Sequence, residues 1–129
     1  MVDLTRDLRK FDGCDFGPKE AQVRWLIGNY LSSPEEASSP LASPFLADLA
    51  GLPPATIVTA QHDTFTEQDD EYARRLREAG VGVKKREFRG MDHGFFMFPG
   101  RLDTAREAIE WMAAQLRSIR PVPSFGRTR

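Results

Sequence analysis

Two short runs, Ala55-Thr56-Ile57-Val58-Thr59-Ala60 and Val83-Lys84-Lys85-Arg86-Glu87-Phe88, bracket a single helical stretch over residues 67–79. Strands joined by one helix and two short turns run parallel, because the helix carries the chain back to the starting end of the sheet. The helix is marked by its charges. Glu67, Asp69, Asp70 and Glu71 come early, Arg74, Arg75 and Arg77 come late, and Gly80 follows as a stop. That order complements the helix dipole, and a glycine just past the last turn readily takes the left-handed conformation that ends a helix. The first run is short, uncharged and rich in β-branched residues, which suits a strand covered on both faces. The second alternates Val83, Lys85 and Glu87 with Lys84, Arg86 and Phe88, a polarity that places it at a sheet edge.

Helices are also predicted on either side of this unit. After Pro18, the residues Val23, Leu26, Ile27, Tyr30 and Leu31 recur at helical spacing, so 18–31 is expected to be helical. Asp103 is placed to cap a last helix whose inward stripe is expected to be Ile109, Met112, Leu116 and Ile119. Residues 32–54 hold Pro34, Pro40, Pro44, Pro53 and Pro54 and read as a long irregular connection with one helical turn near 45–49. A connection of that length in a compact domain usually serves a site. Asp12-Gly13 signals a turn in the polar start of the chain, and the basic stretch 120–129 reads as a frayed tail.

The charge balance excludes several function classes. Eighteen Lys and Arg against nineteen Asp and Glu leave a formal net charge of −1. No clustered positive charge offers a footprint for nucleic acid or an anionic membrane. Cys14 is the only cysteine, so no internal disulfide is available, and nothing near it in sequence would stabilise a thiolate. No apolar run approaches the roughly 20 residues that span a bilayer. A soluble, cytoplasmic protein is the expectation. Neither G-x-G-x-x-G nor G-x-x-x-x-G-K-[ST] occurs, and no cofactor is expected.

Two residues stand where parallel sheets build sites, just past the carboxyl ends of the strands. Asp63 follows the first run, and His93 follows the second in Gly90-Met91-Asp92-His93-Gly94-Phe95-Phe96. Each has an ordinary explanation, Asp63 as a turn former or helix cap and His93 as a structural loop residue. Together they suggest a carboxylate that orients a histidine, with glycines letting the imidazole project beside an apolar wall. His62 and Asp92 adjoin them, but the four match no metal-ligand spacing, and no metal is expected.

Five segments in order resemble one family. They are Ser43-Pro44, then Leu49-x-Gly51-Leu52-Pro53-Pro54-Ala55, then Thr59-Ala60-x-x-Asp63, then Tyr72-Ala73-x-x-Leu76-x-x-Ala79-Gly80-Val81, and finally Gly90-Met91-x-His93-Gly94-Phe95. The chain resembles the C-terminal part of the hormone-sensitive-lipase-like esterases and lipases of the α/β-hydrolase fold, most strongly over 40–117. The resemblance implies an α/β fold that is incomplete here: two parallel strands, a crossover helix and flanking helices, forming part of a single hydrolase domain over 1–129. Met1-Val2-Asp3 resembles the exit of the preceding strand. By position, Asp63 matches the triad acid and His93 the triad histidine.

The departures shape the functional expectation. The family's G-x-S-x-G nucleophile elbow and H-G-G-G oxyanion-hole motif are absent, and none of the seven serines sits in a Gly-flanked turn. After Asp63 the family usually continues Pro-Leu, where this chain has Thr64-Phe65. The resemblance therefore implies the C-terminal fragment of a serine carboxylic-ester hydrolase, truncated or split and inactive by itself. An ester would be the substrate of the intact parent. A missing N-terminal half, or self-association through an exposed strand edge, would supply the macromolecular partner. The competing readings are a non-enzymatic remnant that binds or oligomerises, and an unrelated small α/β domain.

Overall fold

A computed structural model describes residues 4–9 and 17–119. The 1–3 segment, the Asp12-Gly13 turn, Cys14 and the tail 120–129 lie outside the described residues. The elements are α1 (Glu20–Tyr30), β1 (Ala55–His62), α2 (Thr66–Glu78), β2 (Val83–Asp92) and α3 (Asp103–Ser118). Short 3-10 turns at Pro34–Ser38 and Pro44–Leu46 punctuate the irregular connection, and a third lies at Phe95–Met97.

β1 and β2 pair in parallel, with Ala55 opposite Val83 and Ala60 opposite Phe88. Their alternating side chains build a core on each face of the sheet. Val58, Ala60 and Phe88 pack with Phe95 and with Ala105 and Ala108 of α3. Ala55, Ile57 and Val83 pack on the other face with Tyr72 and Leu76 of α2, joined by Leu49 and Val81. The result is helix, sheet, helix in three layers. The charges of β2 are spent on both helices: Arg86 pairs with Glu107 of α3, and Lys85 with Asp70 of α2.

α3 corrects the expected stripe. Its inward residues are the fully buried Ala105 and Ala108, while Ile109, Leu116 and Ile119 are exposed. Small side chains let the helix approach the large rings of Phe88 and Phe95, which fill the space that bulkier helix residues would take. α1 starts at Glu20 rather than 18 and buries only Val23, leaving Trp25, Leu26 and Tyr30 exposed.

The two edges of the sheet differ in character. Among the described residues β1 has β2 as its sole strand neighbour, and its other edge is unpaired. β1 carries no Lys, Arg, Asp, Glu or Pro, whereas β2 contains Lys84, Lys85, Arg86, Glu87 and Arg89. Charged edge strands resist further pairing; uncharged ones invite it.

Candidate active site

Near its end the strand register slips. His62 lies opposite Asp92, so two residues of β1 after Ala60 span four of β2 after Phe88. Gly90 sits in this irregularity with φ +70°, a conformation that costs a residue with a Cβ. The Gln61 side chain braces it by accepting the Gly90 N–H at 2.8 Å. The slip ends at a second glycine, Gly94 at φ +76°, which turns the chain sharply after His93.

Between these glycines His93 meets Asp63. Nδ1 lies 2.8 Å from Asp63 Oδ2, inside the window expected for a directly bonded pair. The ring's Nε2 is therefore on the edge facing away from Asp63. Asp63 Oδ1 accepts the Phe65 N–H at 2.9 Å, and the Asp63 carbonyl accepts the Thr66 N–H at 3.1 Å. Thr66 Oγ1 donates in turn to the Ala60 carbonyl at 2.8 Å, tying the start of α2 to the end of β1. Each carboxylate oxygen thus has a donor, and the side chain is only 11% exposed against 48% for His93. Asp92 does not displace Asp63 from the imidazole.

The electrostatics follow from this geometry. Burial works to raise the Asp63 carboxyl, but hydrogen bonds from His93 and the Phe65 amide outweigh it and hold the group below its ordinary value of 3.8. The hydrogen bond to Asp63 raises His93 above 6.5; partial burial opposes the shift, and the charges of Asp63 and Asp69 reinforce it. Asp63 is a carboxylate at neutral pH and favours positive charge on the imidazole.

Both residues line a cavity of about 530 Å³ between α1 and β1, beside the unpaired edge. Leu26, Ile27, Val58, Ala60, Phe65 and Phe96 supply mostly apolar walls. Phe95 is buried beneath the loop, while Phe96 stays 45% exposed. Ser43 is fully buried on another face, accepting the Leu4 N–H and donating to the Ala37 carbonyl, so its hydroxyl is committed to structure. Among the described residues no cluster of His, Cys, Asp and Glu could hold a metal ion, and no helix is long and apolar enough to cross a membrane.

Gln61 and Phe65 escaped the sequence reading. The work of Gly90 in the register slip appears only once the strands are paired.

Comparison with known proteins places this architecture. Residues 4–97 match a family model described as alpha/beta hydrolase fold. The arylesterase of Saccharolobus solfataricus is 35% identical over 98 residues, covering 75% of this chain and 31% of that protein. The carboxylic ester hydrolase LipN of Mycobacterium tuberculosis is 36% identical over 93 residues, covering 70% and 24%. Among solved structures, the thermophilic and thermostable carboxylesterase EstE1 from a metagenomic library superposes with a TM-score of 0.81 at 38% identity, over 86% of this chain and 38% of that one. The hyperthermophilic esterase of Pyrobaculum calidifontis gives 0.79 at 34% identity, over 91% and 40%. The chain belongs to the alpha/beta hydrolase fold family, on its hormone-sensitive-lipase-like branch. It spans about a third or less of the length of these two curated relatives.

Proposed function

We propose that this chain carries the acid and the base of a serine carboxylic-ester hydrolase, with the nucleophile reaching them from polypeptide outside these 129 residues. The observation that carries the reading is the 2.8 Å Asp63–His93 hydrogen bond at the carboxyl ends of two parallel strands, facing an apolar cavity. The esterase relatives support the reaction class.

In this mechanism a serine hydroxyl stands within hydrogen-bond reach of His93 Nε2. As the oxygen attacks the ester carbonyl, its proton passes to Nε2, and Asp63 stabilises the resulting imidazolium without itself taking the proton. The tetrahedral intermediate collapses to an acyl-serine, and His93 returns the proton to the departing alcohol. Water then repeats the sequence and frees the acid. The apolar walls from Val58, Phe65 and Phe96 suit the hydrocarbon part of an ester. The unpaired, uncharged edge of β1 offers the place for a further strand of the complete sheet.

The test is complementation. The chain alone is expected to hydrolyse p-nitrophenyl acetate at background rate, since it contains neither G-x-S-x-G nor H-G-G-G. Co-expression with the portion of the Saccharolobus arylesterase that precedes the matched region should restore turnover, and His93→Ala should abolish it. Activity should fall as pH drops through the His93 pKa, because imidazolium cannot accept a proton; the acid limb should lie above 6.5. A stable complex of the two pieces that is inactive, or activity indifferent to His93→Ala, would refute the assignment.

A further inference from the structure

One hydrogen bond holds an imidazole at a single point and leaves the ring free to swing about it. A second contact is needed to fix its plane, and Phe65 supplies one. The Phe65 ring centroid lies 5.3 Å from that of His93 with the planes inclined at 49°, while its backbone N–H holds the far oxygen of Asp63. Phe65 also packs in the cluster built on Leu8 and Val23, together with Ile27. Leu8 and Val23 are the two buried hydrophobic side chains that the described part of residues 4–31 contributes. The buried apolar side chains of the described part of that segment therefore pack against the residue that touches the imidazole. Gly17 lies beside the same place: a Cβ there would be in van der Waals contact with Thr64 Oγ1 at 3.8 Å and His93 Cβ at 3.9 Å.

We propose that Phe65 is a positioning residue: its ring sets the orientation of the His93 imidazole and transmits to it the docking of Leu8 and of α1 through Val23 and Ile27. The inference rests on reading His93 as the proton carrier, but its consequences appear in the imidazole itself and need no turnover. The residue is also where this chain departs from the Pro-Leu of the resembling family. A leucine would fill the volume and exclude the same water, but it has no π face to favour positive charge on a neighbouring ring. The charged groups facing His93 are Asp63, from the turn after β1, and Asp69 of α2; both remain when Phe65 is changed.

The experiment is a proton NMR titration of the 129-residue chain. It has two histidines, so His93→Gln assigns the signals. Phe65→Leu should lower the His93 pKa by about half a unit and release its ring protons from the upfield shift imposed by the aromatic ring. Phe65→Tyr should restore both. Val23→Ala, which loosens the packing behind Phe65, should move both readouts in the same direction by less. Circular dichroism checks folding, and Phe65→Met replaces Phe65→Leu if the latter fails to fold. A folded aliphatic variant with wild-type pKa and ring-proton shifts would overturn the proposal. Asp63→Asn tests the underlying reading separately: if it leaves the His93 pKa unchanged, the acid–base pair fails, whatever Phe65 does.

Discussion

At the scale of single residues, Asp63 and His93 act on each other's charge in opposite directions, and this sets a pH window. The carboxyl is held below 3.8, so its contribution to stability is present above that value and is lost as pH falls through the lowered pKa. The imidazole is raised above 6.5, so its contribution is complete below that value and is lost as pH rises through the raised pKa. The difference in unfolding free energy between wild type and Asp63→Asn should therefore peak between 3.8 and 6.5 and shrink on either side. With the imidazole half exposed, the peak should not exceed about 1 kcal/mol. Urea unfolding across pH measures it, and a flat difference would show that the pair is not ionic. The pairing was legible in sequence because both residues stand at strand ends, one of them between glycines. Phe65 and Gln61 were not, since their work lies in contacts across space that no local pattern announces.

At the scale of elements, the strand–helix–strand unit was legible because charge order, a stop glycine and β-branched runs all agree on it. β2 runs on to Asp92, four residues beyond its predicted end, because the Gln61 brace on Gly90 carries the ladder across the register slip. The inward face of α3 departs from the expected stripe for a physical reason: periodicity finds large apolar residues, but the contact with Phe88 and Phe95 is made by alanines that leave room for rings. The consequence is measurable. Ala108→Leu should overpack this contact and cost about 1–3 kcal/mol. Leu116→Ala, at a position 64% exposed, should change stability by less than about 0.5 kcal/mol. Equal losses from the two would restore the original stripe.

At the scale of the whole molecule, the two edges of the sheet offer other polypeptide different surfaces. One edge carries a row of charges; the other carries none. An object that is adhesive on one side only cannot grow without limit. If two copies join through β1, the joined sheet ends in a β2 strand at both extremities, and addition stops. Self-association through this edge is therefore self-terminating, a pair rather than a fibre. Sedimentation over a range of concentrations should show monomer and dimer only, and Thr56→Lys, which sets a charge in the uncharged strand outside either core cluster, should leave monomer alone. Reversing the asymmetry by neutralising Lys84, Arg86 and Arg89 should convert a bounded assembly into an unbounded one. In the bounded pair the charges along β2 would act as a counting device, limiting a sticky surface to one partner at a time.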